Sequence, residues 1–106
     1  MPRTFGQHYI LVDGEPQPVT FEEFMAWYFS HWQEARIAYT LIGEVLVSTI
    51  FLGLGHNLRD ADAAPILFET MVFGGPLDHK IYRTRTRADA LCEHERVCSL
   101  VQNFQA

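Results

Sequence analysis

Residues 37–57 read IAYTLIGEVLVSTIFLGLGHN, and residues 65–75 read PILFETMVFGG. Ile37 to Ile42 is a run of apolar and β-branched residues that suits a strand. Gly43-Glu44 breaks it as a tight turn, and Val45 to Leu54 forms a second strand. Along the second strand Val45, Val47, Thr49 and Phe51 face one way, while Leu46, Ser48, Ile50 and Leu52 face the other. Both sets are largely apolar, so the strand is expected to be covered on both sides or to lie in a homodimer interface. A polar loop with Arg59, Asp60 and Asp62 precedes a third strand from Ile66 to Phe73, closed by Gly74-Gly75-Pro76. Lys80 to Thr84 is a short fourth strand. Connections this short favour an antiparallel meander over crossovers.

Working outward, Tyr9 to Val12 is a short strand, and Asp13-Gly14 is a favoured hairpin-turn pair. The return arm, Glu15 to Val19, carries Pro16 and Pro18 and is confined to an edge. A helix starts at Thr20, where Thr20 and Glu23 form a capping box and Val19 and Phe24 a hydrophobic staple. Phe21, Phe24, Met25, Tyr28, Trp32 and Ala35 then keep the three-four spacing of one apolar face. Trp27 falls off that stripe, which reads either as a wide core-facing stripe or as an aromatic held for an interface. Thr86 caps a closing helix with Asp89 three residues on, and Ala90, Leu91, His94, Val97, Cys98 and Val101 share its inner face. The expectation is one α+β domain over residues 1–106: an antiparallel four- to six-stranded sheet, a meander plus an N-terminal hairpin, with two flanking helices, assembled as a homodimer.

A chain of 106 residues, 48% hydrophobic and 13% aromatic, has room for one packed core and little room for a deep cleft. Binding on a surface or across a dimer is therefore expected more than an enclosed active site. The net charge of −5, from 8 basic and 13 acidic residues, argues against direct nucleic-acid binding. It fits a basic protein partner or plain solubility. Cys92 and Cys98 lie six apart on the closing helix, about 120° around its axis, so they are read as reduced cytosolic thiols. No apolar run has the length of a signal or a membrane span, so a cytoplasmic location with no membrane partner is expected.

Few residues carry chemistry. Gly53, Gly55 and the following Leu58 only begin a glycine-rich phosphate loop, and Asp60, Asp62 and Pro65 spoil the helix such a loop needs. His56, Asp60, Asp62, Asp78 and His79 match no metal-ligand spacing, and no metal or cofactor is expected. Glu69 sits inside the third strand, where a carboxylate must be edge-exposed or paired with an arginine unless it faces a ligand. With His56 it would make an acid/base pair, the basis of a small-hydrolase alternative. Arg83, Arg85 and Arg87 alternate along extended chain and would hold a phosphate or an acidic partner, or keep an edge soluble. The candidate ligand- or partner-binding set is Trp27, His56, Asn57, Glu69, Arg83 and Arg85, with no catalytic residue assigned.

STIFLGLGHN (48–57) and LFETMVFGGPLD (67–78) resemble a type of small phage and prophage protein that pairs an STVFLGLDHN-like segment with an LFETMVFGG-like one. YILVDGEPQPV (9–19) and the closing helix are similar too, so most of the chain is covered. The chain departs at Gly55, where an acid is common, and its loop after Asn57 is poorer in glycine. The resemblance implies a setting, not a mechanism. Small phage accessory proteins often act by binding. The expectation is therefore an anti-CRISPR-like counter-defence protein that masks a host defence protein or complex. The alternative is a sponge for a nucleotide signal.

Overall fold

The structure is a computed structural model and describes residues 8–54 and 65–105. His56, Asn57 and the loop acids Asp60 and Asp62 lie outside the described residues. Six strands and three helices follow in order: β1 (His8–Val12), β2 (Glu15–Val19), α1 (Phe21–Ser30), α2 (Trp32–Ala35), β3 (Arg36–Ile42), β4 (Val45–Phe51), β5 (Phe68–Phe73), β6 (Ile81–Thr84) and α3 (Arg87–Gln105). β3-β4-β5-β6 form an antiparallel meander, and β1-β2 a separate two-stranded sheet. The fold is α+β, as the strand patterning requires.

Turn chemistry sets both hairpins. Asp13 and Gly14 have φ of 51° and 84°, the paired positive values of a type I′ turn. Gly43 has φ 61° in the two-residue β3–β4 turn, the position where a type II′ turn takes glycine. Gly53 has φ 75°, and a Cβ there would collide with the Phe24 ring, so this glycine lets α1 close over the end of β4.

α3 lies across the meander and touches all four strands. Beneath it sit Val45, Val47 and Val72, which pack against Val97, Cys98 and Val101. The core continues past the end of the sheet, where Phe51, Phe68 and Leu67 meet Tyr9, Leu11, Trp27, Ala35 and Ala90. β1 reaches this end through a bond from the Tyr9 N–H to the Gly53 carbonyl, 2.8 Å.

The first helix departs from its expected course. A single stripe from Phe21 to Ala35 requires an unbroken helix, but the chain turns at His31 (φ −127°, ψ 27°). The Ser30 hydroxyl bonds back to the Ala26 carbonyl at 2.7 Å, and the His31 N–H takes the Trp27 carbonyl at 2.7 Å. Side-chain competition of this kind bends or ends helices. Past the break Trp32 is half exposed, and Phe21 and Phe29 also face solvent.

Candidate functional site

The sheet has one covered face and one open face. On the open face the strand pairing lines side chains up in rows: Leu41–Leu46–Phe73, Tyr39–Ser48–Met71–Ile81 and Arg36–Ile50–Glu69–Arg83. A β-bulge between Arg36 and Ala38 turns Ile37 into the core and brings Arg36 onto the third row. Leu41 is 68% exposed, Tyr39 57%, and Phe73 and Ile81 41% each. Leu46, Ile50 and Met71 between them are partly buried. The result is a contiguous apolar surface of seven side chains.

Charges rim one end of it. The Arg83 Nε donates to a Glu69 carboxylate oxygen at 3.1 Å, directly across the β5–β6 pairing. The Arg36 guanidinium lies 4.5 Å above the Tyr39 ring. Glu69 is thus the arginine-paired carboxylate that its place in an apolar strand called for.

The covered face holds the unusual chemistry. The His94 Nε2 lies 2.9 Å from the Thr40 hydroxyl, and its Nδ1 lies 2.8 Å from the Thr49 hydroxyl. Thr49 in turn meets the Thr70 hydroxyl at 2.6 Å. His94, Thr49 and Thr70 are buried, and burial lowers the His94 pKa. A neutral ring fits: one nitrogen donates, the other accepts, and the hydroxyls rotate to complete the chain. Cys98, one turn on, is also buried, which raises its pKa, and its thiol bonds to Thr40. A protonated thiol beside a neutral imidazole, sealed from solvent, is a structural link between α3 and the sheet. It offers no nucleophile. No buried side-chain polar atom among the described residues lacks a partner.

A shallow cleft of about 430 Å³ lies between the outer edge of β6 and the first turns of α3. Arg83, Arg85, Asp89, Cys92, Glu93 and Arg96 line it. Arg96 is held twice by Glu93, at 2.7 and 2.8 Å, and this pairing lowers the Glu93 pKa. The cleft mixes both signs of charge.

The expected site residues therefore separate. Glu69 and Arg83 meet on the open face, and Arg83 and Arg85 share the cleft. Trp27 is not on a surface. It is 9% exposed, stacks on His31 at 5.5 Å and stands edge-on to Phe51 at 5.9 Å. The interface expectation for it is corrected, because α1 tucks this side against the end of β4 and leaves Phe21 and Phe29 outside. Reasoning from sequence missed Tyr39, Leu41, Leu46, Met71, Phe73 and Ile81 as surface residues. Their alternation was visible, but the side α3 would choose was not.

Among the described residues no helix is long and apolar enough to cross a membrane. Compared with family models, curated proteins and solved structures, the chain gives no match.

Proposed function

We propose that this chain is a phage-type accessory protein that works by binding, and that its open sheet face masks a host defence protein. The observation that carries this is the contiguous apolar surface of Tyr39, Leu41, Leu46, Ile50, Met71, Phe73 and Ile81. Monomeric proteins rarely leave such a surface uncovered without a use for it. An apolar centre with Arg36, Glu69 and Arg83 at its margin has the anatomy of a protein interface. The net charge of −5 favours a basic partner, such as a protein that handles nucleic acid.

The test is capture from host lysate with wild type and with Leu41→Asp/Phe73→Asp. Both positions are exposed, so the variant keeps its fold, checked by circular dichroism. Wild type is expected to recover a defence component that the variant loses. Recovery of none, or equal recovery by both, overturns the reading. A second reading, binding of an anionic nucleotide signal, is favoured only by the cleft that joins Arg83 and Arg85. A thermal shift with cyclic nucleotides that Arg85→Ala abolishes would select it.

A further inference from the structure

α3 is seated on small side chains. Its buried residues are Ala90, His94, Val97, Cys98 and Val101, while Leu91 is 40% and Phe104 57% exposed. Beneath it lie Val45, Val47 and Val72. The larger side chains, among them Phe51, Phe68, Trp27 and Tyr9, form the other cluster, to which α3 gives only Ala90. The two clusters share no residue. The cluster around Phe51 is also tied without α3. The Tyr28 hydroxyl donates to the Phe51 carbonyl at 2.7 Å, and the Tyr9 N–H to the Gly53 carbonyl at 2.8 Å. Apolar stabilisation scales with the area removed from water, so the seat of α3 is the weaker of the two. Proteins open first where local stability is least.

The centre of that seat is polar. His94 spans Thr40 on β3 and Thr49 on β4, and Thr49 meets Thr70 on β5. One side chain of α3 thus joins three strands. A second proton on the ring turns its accepting nitrogen into a donor and adds a buried charge. No carboxylate faces that charge from the sheet. β3 is uncharged from Ile37 to Ile42, and β4 throughout. Glu69 on β5 and Arg83 on β6 stand on the open face. The titratable group β6 turns toward α3 is Tyr82, beneath the Arg96 guanidinium. On α3 itself Glu93 is taken by Arg96, Cys98 is a protonated thiol, and Glu95 is exposed and acts only through space.

We propose that α3 is an acid-released cover: protonation of His94 lifts it from the sheet while the cluster around Phe51 stays packed. Arg85 and Thr86, the two residues between β6 and α3, form the hinge. Release bares Val45, Val47 and Val72, so that both faces of the meander are open. The release is independent of the masking function, which uses the other face.

The test reads the two parts of the molecule separately as pH falls. Burial holds His94 neutral in the closed form, and an opened α3 returns it to the ordinary value of about 6.5. Opening is therefore expected to rise as pH falls below about 6.5, by at most about tenfold per pH unit, and to level off below the lowered closed-form value. Cys98 is buried and reports opening through its reaction with a pyridyl disulfide, set against the urea-unfolded chain at each pH. Hydrogen exchange by mass spectrometry, corrected for intrinsic rates, reports residues 8–30 and 87–105. Wild type is expected to lose protection at Cys98 and over 87–105 in this window and to keep it over 8–30. His94→Gln is expected to hold Cys98 protection flat across the window. Two outcomes read in wild type alone overturn the proposal. One is Cys98 protection that does not change with pH, and the other is its loss together with that of 8–30. A His94→Gln protein whose Cys98 protection falls as in wild type overturns it too.

Discussion

Val47 and Leu46 are neighbours on β4 with similar side chains, yet Val47 is fully buried and Leu46 only partly. The same holds along the strand: Val45, Val47, Thr49 and Phe51 alternate as buried with Leu46, Ser48 and Ile50 as half-buried. The face with the two hydroxyl-bearing threonines, Thr49 and Thr70, is the one under α3. The face with more long apolar side chains is open. Apolar content alone would pair the helix with the other side. α3 supplies the difference: it carries His94, whose two ring nitrogens meet the Thr40 and Thr49 hydroxyls. The chain thus builds its core on the face whose polar groups can be completed internally, and leaves the other for something outside.

The largest expected effect breaks the covered side. Phe51 is fully buried, with Phe68 5.5 Å and Trp27 5.9 Å from its ring. Phe51→Ala removes that packing and leaves a cavity, for a loss of about 3–5 kcal/mol in urea unfolding. Leu46→Ala, one face over, is expected to lose less, about 1–2 kcal/mol, because it is only partly buried where Phe51 is wholly so. Equal losses would mean that the open face is covered in the free protein, and the contrast would fall.

A smaller effect sharpens what holds α3 down. Burial lowers the His94 pKa, while Glu95 nearby pulls it upward, and burial is the larger influence. Folded protein therefore holds His94 neutral where the unfolded chain, near the ordinary value of about 6.5, takes up a proton. Fewer protons bound in the folded state means stability rises with pH across that window. The His94 contribution is full above pH 6.5 and is lost as pH falls below it. His94→Gln is expected to cost about 1–3 kcal/mol at pH 7.5. It is also expected to flatten the fall between pH 6.5 and the lowered folded value. A wild-type and variant pair whose losses run parallel with pH would show that His94 does not titrate on unfolding.

Much of the frame could be read from local signals. The Asp13-Gly14 and Gly43 turns, the Thr20–Glu23 box and the Thr86 cap all formed as their residue types require. Each of those is settled within four residues. What could not be read depends on contacts far apart in sequence. Thr40, Thr49, Thr70 and His94 come from four elements, and no spacing links them before the fold does. Trp27 was left between its core-facing and interface readings for a related reason, and the structure gives it the core. A helical stripe assumes one straight helix, and the Ser30 and His31 bonds ended it after three turns. Glu69 and Arg83 were each singled out, but their pairing is a matter of strand register. The sheet's open side was invisible because both sides of β4 are apolar.

The smallest effect concerns the rim of the open face. The Glu69–Arg83 pair is uneven: the Glu69 side chain is 17% exposed and that of Arg83 55%. Coulomb attraction between partly wet groups is weak, and directly opposed charges on adjacent strands contribute about 0.2–1 kcal/mol. A double-mutant cycle with Glu69→Gln and Arg83→Met is expected to return a coupling in that range, reduced at high salt. The single variants should differ in a fixed order. Arg83→Met leaves a half-buried carboxylate without its cation, whereas Glu69→Gln leaves an exposed guanidinium that water can serve. Arg83→Met should therefore cost more. The reverse order would place Glu69 in water and Arg83 at the less solvated end, and the rim would then belong to the apolar surface instead of bounding it.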